Sequence, residues 1–187
     1  MDRRRLLVFL AIAAGFALLA RGVAQTPLGP PPLPALANTE PGARVELALP
    51  DLAGQPRRLS EWHGQILLVN FWATWCSPCL EELPSLESVQ QSLADEGLAV
   101  IGVSVDSTSP ERIARYLETA GASFVSLHDE DGALAQRLGV RVYPTTLVLD
   151  RDGRLRLTVP SAWDWAHPDA QAWLRTLLAE AAPGSAH

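Results

Sequence analysis

Seven consecutive residues, Ile66-Leu67-Leu68-Val69-Asn70-Phe71-Trp72, carry six apolar side chains and one amide, with no polar face at any regular spacing. A run of that kind suits a strand covered on both sides of a sheet. Beyond it come Cys76 and Cys79, and then Leu80, Leu83, Leu86, Val89 and Leu93, which recur at the spacing of one helical face. A fully buried strand that hands over to an amphipathic helix is the building unit of an α/β sheet.

The alternation continues along the chain. Val45, Leu47 and Leu49 alternate with polar or small residues as in a half-buried strand, residues 51–54 read as a turn, and residues 57–59 return as a short partner. Residues 60–62 read as a helical turn and 98–105 as a second buried strand. Ser109-Pro110-Glu111 opens a helix with Ser109 as its cap and Ile113, Tyr116 and Leu117 inward. A short helix over 134–138 ends at Gly139. Strands over 146–149 and 154–159 are joined by a turn at Asp152-Gly153, and a last helix covers 168–182 with Trp173, Leu174, Leu177 and Leu178 inward. The expectation is an α/β domain over 42–183: a central mixed sheet flanked by helices, with an antiparallel edge and an N-terminal strand extension. Residues 184–187 are then a tail.

Composition narrows the function. All 15 basic residues are arginines, so Schiff-base and P-loop lysines are excluded. A net charge of −6 argues against nucleic acid as the main partner, because phosphate binding needs a basic footprint. Two cysteines exclude a Cys-rich disulfide scaffold and a four-Cys zinc site. The single Met excludes Met-rich metal or peptide surfaces. His63, His128, His167 and His187 show no paired spacing, and neither metal nor cofactor is expected.

Residues 1–24 read as an address. Arg3, Arg4 and Arg5 precede an uncharged run of 15 residues over 6–20, and Gly22-Val23-Ala24 offers small residues for cleavage after Ala24. A retained anchor competes with a cleaved signal, since Arg21 can snorkel and lengthen the span. In both cases the remainder is exported to the cell envelope or periplasm. Without residues 1–24 the chain holds 11 basic and 20 acidic residues, a net charge of −9. Five prolines in the eight residues 27–34 make residues 25–41 a semi-rigid spacer, of use in holding a domain off a membrane.

The chemistry is concentrated in Cys76-Ser77-Pro78-Cys79. The spacing puts both sulfurs on one helical turn, where they can close a small disulfide. At the start of a helix, backbone N–H groups and the helix dipole favour a negative sulfur. That location lowers a Cys pKa from about 8.5 into the range of roughly 3.5 to 7.5, and only a thiolate attacks a disulfide. Cys76 is therefore expected to be the exposed nucleophile and Cys79, one turn deeper, the resolving thiol. A purely structural disulfide and half of a zinc site are the competing readings; the first closes too small a loop to stabilise much, and the second lacks ligands.

Asn70-Phe71-Trp72-Ala73-Thr74-Trp75-Cys76-Ser77-Pro78-Cys79, followed by Glu82 and Pro84, resembles the active-site segment of thioredoxin-like proteins of the TlpA/ResA group. Gly139-Val140-Arg141-Val142-Tyr143-Pro144-Thr145-Thr146, with Asp150 and Gly153, resembles that group's second signature. The resemblance implies a thioredoxin fold with Cys76 and Cys79 as the redox pair of an exported or membrane-anchored thiol–disulfide oxidoreductase. Such proteins are usually reductive, act on disulfides of envelope proteins, often in cytochrome c maturation, and draw electrons from a membrane thiol transporter. The same pair can run as an oxidant, and two thiolates can also serve a module that binds copper or haem apoproteins.

The resemblance further implies that Pro144 follows a cis bond, which would turn the Tyr143 backbone toward Cys76 and let it pair with an extended substrate. The competing reading is a trans proline opening an edge strand. It also implies that Glu82 lies beside the cysteines and tunes their proton transfers, against a solvated first-turn carboxylate such as Glu81. Trp75 is expected as an exposed apolar lip for substrate, Trp72 as core, and Asp150 as a turn residue. Two departures stand out: Val142, where many relatives have Gly, and residues 161–167, which replace a glycine-rich segment and are read as a packed loop, with Trp163 or Trp165 as alternative determinants of substrate choice.

Overall fold

The strand β3 (Ile66–Trp72) is buried along its whole length, and the sheet is built around it. A computed structural model describes residues 41–180. In it β3 pairs in parallel with β4 (Leu98–Ser104) and antiparallel with β6 (Thr145–Leu149). Outside these lie β5 (Val125–His128), parallel to β4, and β7 (Leu155–Val159), antiparallel to β6, giving the order β5-β4-β3-β6-β7. The helices α1 (Ser77–Leu93), α2 (Pro110–Thr119), α3 (Ala133–Arg137) and α4 (Pro168–Ala179) complete the domain.

Two-residue periodicity sorts β3 between two cores. Ile66, Leu68 and Trp72 pack with α1, α2 and α4 through Leu83, Leu86, Ile113, Leu174 and their neighbours. Leu67, Val69 and Phe71 pack on the other face against α3 and the N-terminal segment, through Leu134, Val45, Leu47 and Leu59. Asn70 falls on the α1 face, which sets the geometry of the site.

The N-terminal extension is a strap. Its backbone pairs with the chain entering β7, through Gly42 N–H to Leu155 O at 2.7 Å and an antiparallel bridge from Arg44 to Arg154. It then forms the hairpin β1 (Ala48–Pro50) and β2 (Pro56–Arg58), and Asp51 bridges to Leu127 of β5 on the opposite edge. A 3-10 turn, Leu59–Trp62, leads back to β3.

Three expectations change. The main sheet has five strands rather than four: β5 is only Val-Ser-Leu-His and owes its shape to parallel pairing with β4, not to a pattern of its own. Antiparallel pairing begins one strand further in, since β6 itself runs against β3. Ser109 occupies the N-cap position of α2, yet its side chain makes no capping hydrogen bond to the helix backbone. Residues 1–40 and 181–187, and with them the address, most of the spacer and the tail, lie outside the described residues. Among the described residues no helix is long and apolar enough to cross a membrane.

The β6–β7 hairpin turns as Asp152-Gly153 implies. Asp150 accepts the N–H groups of Asp152 and Arg154 at 3.0 and 2.9 Å, and Gly153 has φ of 73°. A Cβ at Gly153 would also come within 3.1 Å of Leu59 Cδ2. Gly153→Ala is expected to lower stability by about 1 kcal/mol, the cost of forcing a side chain into the left-handed region. Urea denaturation should show a lower midpoint at an unchanged slope.

Candidate active site

From Trp72 the chain turns through residues 73–76, with Cys76 N–H donating to Ala73 O at 3.2 Å. Cys76 is the N-cap of α1 in extended conformation, and its carbonyl accepts the N–H groups of Cys79 and Leu80 at 3.0 and 3.2 Å. Pro78 fits the first turn, where an N–H would find no intrahelical acceptor. Cys76 and Cys79 are joined in a disulfide, S–S 2.08 Å and Cα–Cα 5.3 Å. Cys76 Sγ also accepts the Cys79 backbone N–H at 3.3 Å, a donor aimed where a thiolate would sit. Cys76 is only 6% exposed, against 1% for Cys79. The expected order of depth holds, but Cys76 presents a narrow edge rather than an open thiol, because its sulfur folds back over the first helical turn.

Glu82 lies one turn beyond Cys79 on α1 and is 3% exposed. Its carboxyl is gripped from three directions. Asn70 Nδ2 donates to Oε2 at 3.0 Å, while the Trp163 backbone N–H and the Trp165 indole N–H donate to Oε1 at 3.0 and 2.7 Å. Burial raises its pKa from the usual 4.5 to about 7, even though all three hydrogen bonds favour the anion. Asn70 in turn donates to Thr146 Oγ1 at 2.9 Å, tying β3 to β6 beneath the site.

A second buried carboxylate holds the approach to the cysteines. Asp106, just beyond β4, accepts the Thr74 backbone N–H at 2.9 Å and the Thr74 hydroxyl at 2.7 Å. It also accepts the Ser104 hydroxyl at 2.7 Å, and its own carbonyl lies 2.8 Å from His128 Nε2. The turn that presents Cys76 is thereby fixed two residues upstream.

Across from the disulfide the Tyr143–Pro144 peptide is cis, as the resemblance implies. Trp75 is 67% exposed and meets the Tyr143 ring edge-on, centroids 5.8 Å apart. Val142 is 48% exposed, and its carbonyl accepts the Thr145 hydroxyl at 2.8 Å. Trp75 and Val142 are the exposed large apolar side chains of the described residues, and both flank the site. Among the described residues no group of three or more His, Cys, Asp or Glu is arranged to hold a metal ion.

Cys76, Cys79, Glu82, Trp75, Tyr143 and Pro144 thus come from two separated stretches of sequence, 75–82 and 143–144, to the ends of β3 and β6. Trp72 is fully buried and Trp75 exposed, as anticipated. Asn70, Thr146 and Asp106 were not anticipated as site residues. An amide in the middle of an otherwise apolar strand was the available signal for Asn70; Asp106 had none. The 161–167 segment is a packed loop, with Trp165 fully buried, but its attachment to Glu82 was not legible.

Between about pH 4.5 and 7 the folded protein holds a proton on Glu82 that the unfolded chain has released. Stability should therefore fall as pH rises through that window, by about 3 kcal/mol in all. Glu82→Gln should lose this component, a flip of the Asn70 amide offering the new side chain Oδ1, which otherwise has no partner. Denaturant titrations of both proteins from pH 4 to 8 would measure the difference; parallel curves would contradict it.

The chain is similar to several known proteins. The thioredoxin-like protein YneN of Bacillus subtilis strain 168 is 37% identical over 110 residues, 58% of this chain and 64% of that protein. The thiol-disulfide oxidoreductase ResA of Geobacillus thermodenitrificans strain NG80-2 is 28% identical over 111 residues, 59% of this chain and 63% of that one. These matches span just under two thirds of each relative. A solved structure, a secreted thiol-disulfide isomerase from Corynebacterium glutamicum, superposes with a TM-score of 0.64 at 26% identity, covering 72% of this chain and 83% of that one. The relationship to thioredoxin-like proteins implied by the two motifs is borne out, and the fold is thioredoxin-like. The AhpC/TSA family pattern matches residues 42–158, most of the chain, and the chain belongs to that family.

Proposed function

We propose that the protein is a thiol–disulfide oxidoreductase of the cell envelope that reduces disulfides in other proteins. The observation that carries this reading is a two-cysteine disulfide at the N-terminus of α1 with a buried, readily protonated carboxyl one turn beneath it. The names of the relatives support the same chemistry. Location in the envelope rests on the apolar run after three arginines and on one similar structure being a secreted protein.

In the reaction, reduced Cys76 loses its proton with help from the helix N-terminus and attacks one sulfur of the substrate disulfide. That S–S bond breaks, and the departing sulfur leaves as a thiolate and takes up a proton. Cys79 then gives its proton to the Glu82 carboxylate and attacks Cys76 Sγ. The Cys76–Cys79 bond closes, and the second substrate thiolate is expelled and protonated. Two electrons have passed from the cysteine pair to the substrate, and a donor of two electrons, in this reading a membrane thiol transporter, must restore the pair.

Trp75, Val142 and Tyr143 form an apolar lip on which an extended segment carrying the disulfide would rest, and the Tyr143 backbone is suited to pair with it. Apocytochrome c is the substrate class this reading favours among envelope proteins, by analogy with the TlpA/ResA group.

Cys79→Ala is expected to accumulate mixed disulfides on Cys76, whereas Cys76→Ala should accumulate none; gels run without reductant after acid quenching would display the adducts. Adducts on neither variant, with exchange persisting, would overturn the assignment. Equilibration with glutathione and dithiothreitol buffers should give a reduction potential nearer about −270 mV than about −120 mV; the latter would make the protein an oxidant.

A further inference from the structure

Residues 161–167 join β7 to α4 and fold back onto α1. Ser85 and Glu82, three residues apart on α1, receive the loop. Trp165 N–H donates to Ser85 Oγ at 3.2 Å, and the Trp163 backbone N–H donates to Glu82 Oε1 at 3.0 Å. The Ser85 hydroxyl lies 2.9 Å from Glu82 O and 3.3 Å from Trp163 O. The loop is thus docked by its backbone, and the two indoles meet edge to face at 4.8 Å. The Trp165 indole N–H adds one more bond, and it is the shortest reaching Glu82, at 2.7 Å to Oε1.

This last bond is made by a side chain, so a substitution can remove it and leave the backbone bonds in place. The backbone bonds fix where the loop lies. The indole N–H, like the Trp163 backbone N–H on the same oxygen, is a donor that a carboxylate accepts more strongly than a neutral carboxylic acid does. Trp165 is fully buried, so no water competes for Oε1 from its side. On the other side a cleft of about 220 Å³ opens between α1 and the loop, lined by Glu81, Glu82, Ser85, Ala162, Trp163 and Asp164. Glu82 thus borders a cleft that offers its proton a short route to solvent.

We propose that Trp165 is a positioning residue for the resolving step: its indole N–H holds the Glu82 carboxyl one turn from Cys79 and favours its ionised form, which accepts the Cys79 proton, while the cleft between α1 and the 161–167 loop passes that proton to solvent. The proposal rests on the thiol–disulfide reading and assigns a residue of the loop that departs from the TlpA/ResA pattern. Titratable groups around the carboxyl are Cys79 on α1 and Glu81 and Asp164 lining the cleft. The strands β3 and β6 bring only Asn70 and Thr146, both uncharged, and Tyr143 packs against the same core cluster.

The test uses the reduced full-length protein and 5,5′-dithiobis(2-nitrobenzoate). Attack by Cys76 releases one thionitrobenzoate, and closure by Cys79 releases a second in a separate phase. The pH midpoint of the second phase should follow Glu82 and vanish in Glu82→Gln. In Trp165→Phe it should move up by about one pH unit, the scale set by losing one hydrogen bond to a charged group. Added to Glu82→Gln, the same change should move nothing. A midpoint unchanged in Trp165→Phe, or displaced equally with Glu82 already replaced, would overturn the proposal.

A measurement on the unaltered protein covers the case in which the variant does not fold. The Trp165 indole N–H resonance should titrate with the midpoint of the Glu82 carboxyl carbon, and an indole signal indifferent to pH would also overturn the proposal. If the unaltered protein releases no second thionitrobenzoate, the thiol–disulfide reading itself fails; if it does so normally and only the Trp165 effects are missing, the positioning role alone fails.

Discussion

The hydrogen bond between Asn70 and Glu82 joins the middle of the central strand to the first half of the active-site helix. Around it an apolar interior accommodates a carboxyl, and the surrounding structure supplies the donors that carboxyl requires. Asn70 must sit on the α1 face of β3, which fixes the alternation of the whole strand between its two cores. The loop after β7 must close over the helix to bring Trp163 and Trp165 to the same oxygen. A strand, a helix and a distant loop are thereby locked in register one turn beyond the cysteines.

A comparison along α1 shows how narrowly this is arranged. Glu87, also buried, is satisfied by the Ser123 backbone N–H at 2.6 Å, the Ser123 hydroxyl at 2.8 Å and Gln91 at 2.8 Å. Burial pushes its pKa up, but the bonds from Ser123 and Gln91 outweigh that, and it ends below the usual carboxylate range. Glu82 has three donors and is more deeply enclosed, and desolvation wins. The same residue type on one helix thus holds its charge more firmly at one position and changes charge near neutrality at another.

What could be read from the sequence was whatever local physics decides. The apolar run of β3, the helical spacing after Cys79 and the Asp152-Gly153 turn each state their own structure. The two sulfurs on one turn stated the chemistry. What could not be read depends on partners far along the chain. β5 is a strand because β4 lies beside it, and the antiparallel run of β6 against β3 is set by no pattern within its own five residues. Asp106 matters because Thr74, 32 residues earlier, turns toward it. Trp165 is separated from Glu82 by 83 residues, and nothing in the composition of its loop announces a carboxylate as its partner.

The strap formed by the N-terminal segment reaches from the entry of β7 to β5, the two outer strands of the sheet. Outer strands carry unpaired backbone groups that invite addition of a foreign strand. One short stretch of chain occupies part of both borders, so strangers are turned away from the ladder ends, while the sulfurs lie apart from them, at the start of α1. The domain can in this way meet other polypeptides repeatedly without being drawn into a shared fibril.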